Sequence, residues 1–246
     1  MKVLVTRPLL QAEKTADRLR AEGHTPIIQP LLHVVPLNTP PPVVQPGGLV
    51  VTSANVIEPL RLSGALTDLL DVPVLTTGSA TAEALQRAGF TDVDHVDGSA
   101  LDIVADLPRW TGDKFGKLAA KSSPLVYAAA KDVAHDLSEL GDQLGLTVVT
   151  WPVYETETAD AFLPEVEALL IAGEIDAILL YSPRTAACFQ RLHDDLPDQE
   201  RVQGSLGALS CVVLSDAIKG MLKAPLRERS MVAAKPTEAA LFDLLR

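Results

Sequence analysis

Gly23–His33 reads GHTPIIQPLLH and Gly145–Glu155 reads GLTVVTWPVYE. Glycine, threonine and proline keep one spacing in both: Gly23, Thr25 and Pro30 in the first, Gly145, Thr147 and Pro152 in the second. In each copy a glycine ends a helix, a short strand follows, and a proline opens an extended stretch. Outward from these segments, Val50–Asn55 (VVTSAN) matches Leu179–Arg184 (LLYSPR), serine on serine. Val74–Leu85 (VLTTGSATAEAL) then matches Cys211–Leu222 (CVVLSDAIKGML), each an apolar run that breaks at a small residue. The offset between copies drifts slowly, as loop insertions in an old duplication would make it, because loops absorb length changes more readily than strands. Any α/β chain repeats apolar run, turn and helix by construction. The recurring proline and the T/Y-S turns favour duplication, and two similar modules imply a ligand-binding cleft between them.

Strand–helix alternation continues throughout. Lys2–Thr6 reads as a buried strand, and Leu9, Ala12, Ala16 and Leu19 form a helical stripe. Leu49–Thr52, Val74–Thr77, Val93–Val96, Leu125–Ala128, Thr147–Trp151, Ala177–Tyr181, Leu209–Leu214 and Met231–Ala233 read as further strands. Helices are expected at Ala54–Leu62, Ala80–Ala88, Ala100–Leu107, Ala134–Leu144, Phe162–Ala172, Thr185–Leu192, Asp216–Leu222 and Thr237–Leu245. Trp110–Pro124 and the stretch before Leu206 read as loops. This order predicts an α/β fold with parallel sheets and helices on both faces.

The extended segments after each β-α-β opening set the domain layout. The chain is expected to cross at 34–37, build a continuous domain over 38–150, and cross back at 151–157. Residues 1–33 then join 158–246 in a discontinuous domain, with the two linker strands able to pair.

Composition narrows the function. The chain has 246 residues, 47% hydrophobic and 22% charged, within the globular range. MKVLVTRP has too short an apolar run for a secretory signal, and no stretch reaches membrane-spanning length. Cys188 and Cys211 lack metal spacing, which suits a reducing cytoplasm. A formal charge of −11 argues against a nucleic-acid partner.

Ligands of doubly wound sheets sit where strand C-termini feed helix N-termini. The turns at Thr6-Arg7-Pro8, Thr52-Ser53-Ala54-Asn55, Thr76-Thr77-Gly78-Ser79, Ser182-Pro183-Arg184 and Leu214-Ser215-Asp216 present main-chain N–H groups and hydroxyls. Helix dipoles add positive potential there, so a net-negative chain can still hold carboxylates. Singly, Ser53, Ser79, Ser182 and Ser215 read more readily as helix caps than as ligand contacts. The five histidines are scattered, and the chain carries no HExxH, CxxC, GxSxG, phosphate loop or dinucleotide fingerprint. No metal and no cofactor are expected. Tyr154, in PVYET, is either a packed side chain or a phenolic proton donor facing the cleft.

Taken in order, KVLVTRP, TSAN, GSATAEALQRAGF, PVYET, YSPRTAACF and AAKPTEAALFDLL resemble the uroporphyrinogen-III synthase family over nearly the whole chain. The resemblance implies two flavodoxin-like domains, one discontinuous, joined by a two-stranded linker. It implies a cofactor-free lyase of tetrapyrrole synthesis that cyclises hydroxymethylbilane, a linear tetrapyrrole with eight carboxylates. Water is lost through an azafulvene, ring D is inverted through a spiro-pyrrolenine, and the macrocycle closes to uroporphyrinogen III. Tyr154 matches the family's linker tyrosine, proposed to protonate the departing hydroxyl. Thr52, Ser53 and Asn55 fall in the first-domain turn, and Ser182 in its counterpart. Gly78, Ser79 and Thr81 match a G-x-x-T element whose amides face carboxylates. Arg7 and Arg184 are expected to fork onto carboxylates.

Two departures stand out. Ser215-Asp216-Ala217 replaces a turn richer in hydroxyls, and Ala128-Ala129-Ala130-Lys131 lacks a glycine common among relatives, with Lys131 supplying charge instead. A cytoplasmic monomer in transient contact with the preceding pathway enzyme is expected. The alternative is a non-catalytic two-domain binding protein for an anionic metabolite; a receiver-like regulator is disfavoured because no acidic cluster follows the first strand.

Overall fold

The computed structural model describes residues 1–98, 100–110, 124–133, 135–197 and 209–246. The loops expected over Trp110–Pro124 and before Leu206 fall largely outside them, as does Ala134, the expected first residue of one helix. The chain divides into two compact units: residues 1–33 with 157–246, and residues 34–156.

Unit 1 is built on a sheet of β1 (Lys2–Val5), β2 (Thr25–Ile28), β9 (Ala177–Leu180), β10 (Ser210–Val213) and β11 (Ser230–Val232). Their order is β11-β10-β9-β1-β2, and every pair is parallel. Alternate residues leave a strand on opposite faces. Leu4, Ile178, Leu180, Cys211 and Val213 therefore enter one core, with Phe162 and Phe189. Val3, Val5, Leu179 and Val212 enter the other, against Ala12, Leu19, Leu241 and Phe242. Both faces are dry, which is why AILL at β9 is an unbroken apolar run with every residue buried. Each fully buried Leu or Phe contributes about 1.5–3 kcal/mol by the area removed from water.

The helices covering this sheet are α1 (Leu9–Ala21), α7 (Pro164–Ala172), α8 (Pro183–Asp194), the short α9 (Asp216–Lys219) and α10 (Glu238–Phe242). A 3₁₀ turn at Asp243–Leu245 ends the chain's last helical stretch.

Unit 2 contains β4 (Gly48–Val51), β5 (Val74–Thr77), β6 (Val93–Val96) and β7 (Leu125–Ala130). Two longer-range strands, β3 (Leu32–Pro36) and β8 (Val148–Thr158), run past its boundary. The sheet order is β3-β8-β7-β4-β5-β6, with β8-β7, β7-β4, β4-β5 and β5-β6 parallel. Leu49, Val51, Val126 and Ala128 face one core and Val50, Leu75, Leu125 and Tyr127 the other. Gly48 is required by packing, since a Cβ there would lie 3.0 Å from both Leu125 and Trp110. The flanking helices are α2 (Ile57–Leu62), α3 (Leu66–Leu69), α4 (Ser79–Ala88), α5 (Ala100–Trp110) and α6 (Leu137–Gln143).

Some boundaries differ from the sequence pattern for identifiable reasons. The helix expected from Ala54 begins as a 3₁₀ turn over Ala54–Val56, and α2 starts at Ile57 with Pro59 in its first turn, where a missing N–H costs little. The helix expected from Ala134 is described from Leu137, because Asp136 accepts from the Ser138 N–H at 2.9 Å and caps it there. The strand expected over Thr147–Trp151 runs on through the stretch 151–157 as β8, an eleven-residue strand.

Pro152 sits inside that strand without a donor. Ala129 pairs with Pro152, but the next residue, Ala130, pairs with Tyr154, so Val153 is an extra residue and the ladder is bulged. The Val153 carbonyl accepts from the Leu37 N–H at 2.9 Å. Strict alternation would send Val153 and Tyr154 to opposite faces. The bulge puts both in one core with Trp151.

Candidate functional site

Parallel α/β sheets bind ligands beyond the strand C-termini where the strand order reverses. In unit 2 that point lies between β4 and β7, and in unit 1 between β1 and β9. Of the residues singled out from the sequence, Thr52, Ser53 and Lys131 follow β4 and β7, Arg7 and Ser182 follow β1 and β9, and Gly78 and Ser215 follow the neighbouring strands β5 and β10.

In unit 2, Thr52 and Ser53 follow β4. The Ser53 side chain accepts from the Asn55 N–H at 3.2 Å and caps the 3₁₀ turn. The Thr52 carbonyl accepts from the Thr77 hydroxyl at 3.1 Å, which fastens the β4 turn to the β5 turn. Thr52 Oγ1 lies 3.1 Å from the Tyr127 phenol oxygen. The bulge puts Tyr154 in the core beside the same turn, where the Ser53 and Asn55 side chains act on its phenol. Its ring is 6% exposed. Burial pushes the phenol above its ordinary value of 10.0 and the nearby Tyr127 adds to this, while Ser53 and Asn55 pull part of the way back. Tyr154 is therefore protonated at neutral pH, the form a proton donor needs.

Lys131 follows β7. Its N–H donates to the Tyr154 carbonyl at 2.7 Å, and its exposed ammonium lies 2.9 Å from Glu155 Oε2. Glu155, chiefly through its hydrogen bond and charge, raises the Lys131 ammonium above 10.5. Gly78 is the residue before α4, at φ +69° and ψ 145°, a conformation open almost only to glycine. It turns the chain so that Ser79 is the first helical residue and carries no side-chain cap itself. Thr81 is half-buried in the first turn of α4. The two turns thus offer main-chain N–H groups and hydroxyls at adjacent strand ends, suited to anionic oxygens.

In unit 1, Arg7 follows β1 and Tyr181-Ser182 follow β9. Arg7 does not point to open solvent. Its guanidinium donates to Glu238 Oε1 at 3.0 Å and stacks 4.5 Å from the Tyr181 ring centre. The same carboxylate receives the Thr15 hydroxyl at 2.6 Å, the Tyr181 hydroxyl at 3.0 Å, and Arg18. Burial raises the Glu238 carboxyl, but Thr15, Tyr181, Arg7 and Arg18 together outweigh it and hold the group below 4.5. Burial first, then the Glu238 charge, drives the Tyr181 phenol far above its ordinary range.

Ser182 caps α8: its hydroxyl accepts from the Thr185 N–H at 3.1 Å and lies 2.7 Å from the Thr185 hydroxyl. Arg184 is exposed in the first turn of α8. Ser215 precedes α9 and makes no side-chain cap, although its carbonyl accepts from Ile218 and Lys219.

Tyr127 and Glu238 were not reached from the sequence, and Thr77 and Tyr181 only as members of strand-end turns, without their partners. Tyr127 left one signal, a polar tip in the otherwise apolar run LVYAAA; Glu238 left another, an acidic residue directly after the capping Thr237. Among the described residues, no group of three or more His, Cys, Asp or Glu is arranged to hold a metal ion, and no helix is long and apolar enough to cross a membrane.

Comparison with known proteins gives these turns a context. Uroporphyrinogen-III synthetase from Helicobacter pylori superposes with a TM-score of 0.63 at 18% identity, over 99% of this chain and 97% of that one. A mutant uroporphyrinogen III synthase from the extremely thermophilic bacterium Thermus thermophilus gives 0.48 at 16% identity, over 100% and 96%. At 18% identity the Helicobacter pylori likeness speaks for the fold alone. No curated protein matches the sequence. The sequence profile described as Uroporphyrinogen-III synthase HemD matches residues 13–243, nearly the full length. The chain belongs to the uroporphyrinogen-III synthase family, lyases of heme biosynthesis.

Proposed function

We propose that this chain cyclises hydroxymethylbilane to uroporphyrinogen III, with Tyr154 as the acid. The carrying observation is the buried Tyr154 phenol, raised above 10.0 by that burial and set by the β8 bulge beside the strand-end turn of Ser53 and Asn55 in unit 2. The phenol gives its proton to the departing hydroxyl, the C–O bond breaks, and water leaves. The pyrrole nitrogen lone pair supplies the electrons, so an azafulvene forms without a cofactor. Ring D is attacked at its substituted carbon, the spiro intermediate fragments, and reclosure inverts the ring. The α-proton lost on final closure restores the phenol.

Because the pyrrole activates itself, the protein's larger share is to orient the chain and exclude water. The Thr52–Asn55 turn, with Gly78, Ser79 and Thr81, takes substrate carboxylates on main-chain N–H groups and hydroxyls, and Lys131 adds a cation beside it. Within unit 1, Ser182, Arg184 and Ser215 are the candidate carboxylate contacts, with Arg7 held on Glu238 beside Ser182's strand. A non-catalytic binding protein would need no protonated phenol at this turn. The same reading makes the chain a cytoplasmic monomer that takes its unstable substrate from the preceding pathway enzyme.

Purified protein mixed with hydroxymethylbilane should give the type III isomer, resolved from type I by chromatography after oxidation to porphyrins. Type I alone, at the rate of a protein-free control, would overturn the proposal.

A further inference from the structure

The Thr52–Ser53 turn is gripped from both faces of its sheet. Residues of β7 alternate, so Val126 and Ala128 enter one core while Leu125, Tyr127 and Ala129 enter the other. The Tyr127 ring is 4% exposed and packs on the second face with Val50, Ile103 and Leu107. Its hydroxyl reaches the end of the sheet and meets Thr52 Oγ1 at 3.1 Å. Tyr154 lies in the first core, where Ser53 and Asn55 act on its phenol. The turn thus has a phenol on each side, and the one from Tyr127 is hydrogen-bonded to it. A third hydroxyl, on Thr77, holds the Thr52 carbonyl.

We propose that Tyr127 is a positioning residue for the cyclisation, acting through Thr52 to fix the turn on which Tyr154, Ser53 and Asn55 depend. This rests on the reading of Tyr154 as the acid. Asn55 lies in a single 3₁₀ turn that Ser53 caps, and its short i→i+3 geometry is easily shifted. Tyr154 itself is set by a bulged strand, so its partners across the sheet end must be held independently. Pinning Thr52 at both its hydroxyl and its carbonyl supplies that restraint. A buried ring that served packing alone would need no hydroxyl at this position.

Tyr127→Phe keeps the ring and removes only the hydroxyl. Thr52→Val keeps the shape and removes the partner. Loss of one neutral hydrogen bond predicts a fall of about five- to tenfold in kcat for type III formation in each variant. The double variant should be no slower than the slower single one, because both changes break the same contact. The share of type I isomer should rise in all three, while the thermal midpoint of Tyr127→Phe stays near that of the wild type.

Wild-type kcat and isomer ratio in Tyr127→Phe would overturn the inference, as would a double variant slowed by the product of the single effects. A lowered thermal midpoint with an unchanged isomer ratio would also overturn it, since that is the signature of packing alone. If Tyr127→Phe fails to fold, Thr52→Ser against Thr52→Val decides: retained activity only with serine supports the hydroxyl contact, and equal activity overturns it. Failure of the wild type to make type III isomer at all would instead remove the proposed function.

Discussion

Replacing Glu238 with alanine removes the carboxylate on which Thr15, Tyr181, Arg7 and Arg18 converge. The Thr15 hydroxyl is fully buried, so stranding it costs about 1–3 kcal/mol. The Tyr181 hydroxyl loses a charge-assisted bond of similar worth, about 1.5 kcal/mol. Arg7 and Arg18 are 31% and 46% exposed, so solvent screening leaves their two pairings about 0–1 kcal/mol together. Neighbouring losses are not additive, and the sum is roughly 3 kcal/mol. At about 2–4 °C per kcal/mol for a chain of this size, the melting midpoint should fall by about 6–12 °C. Glu238→Gln keeps an acceptor for Thr15 and Tyr181, so about half that fall is expected.

The sign of the pH dependence follows from the lowered carboxyl. Its contribution is present above the unfolded value near 4.5 and is lost as pH falls through the lower folded value. The gap between wild type and Glu238→Gln should therefore narrow as pH drops from about 5 towards 3. Circular dichroism melts across that range measure it. A Glu238→Ala midpoint within about 1 °C of wild type at neutral pH, or a Gln gap independent of pH, refutes the reasoning.

Three further outcomes are expected. Gly78→Ala meets no atom within 4 Å, so its cost is backbone strain alone, about 1–3 kcal/mol in urea titration; an unchanged midpoint would mean the turn relaxes freely. Lys131→Met should leave the melting midpoint in place and raise KM by about three- to tenfold at low salt, the effect fading as salt rises; a KM indifferent to the change removes Lys131 from carboxylate binding. Tyr154→Phe should slow type III formation by about ten- to a hundredfold. In the wild type the raised phenol gives no alkaline fall in kcat up to about pH 9; a Phe variant with full kcat ends the acid role.

The alternation of apolar runs with helical stripes made the parallel α/β architecture readable, because a strand covered on both faces cannot hide as anything else. AILL at β9 and GLVV at β4 are such strands, and Ser182 and Thr237 announced their helices as caps. The aim of Tyr154 was not readable. It depends on one extra residue in β8, and side-chain period alone assigns Val153 and Tyr154 to opposite faces. Pro152 was the available sign, since a proline inside a strand calls for a bulge or an edge. The engagement of Arg7 was equally hidden. Nothing in TRP near one end of the chain points to a glutamate near the other, and only the packing of α10 beside β1 brings them together. Sequence reading finds which residues can bind a carboxylate, but not that the protein's own carboxylate is already there.

The sheet order of unit 1 also sets a timetable for synthesis. β1 lies between β2 and β9, so it cannot gain its second neighbour until residues 177–180 exist. The span from residue 33 to residue 177 takes roughly 7 to 30 s at about 5–20 residues per second. All of unit 2 is made during that interval, as a continuous stretch of chain. Protease protection of arrested nascent chains should appear first over 34–156, with residues 1–33 cleaved until β9 has emerged. Residues 1–33 are thus made before unit 2 yet buried after it, and they stay open to proteolysis while it folds.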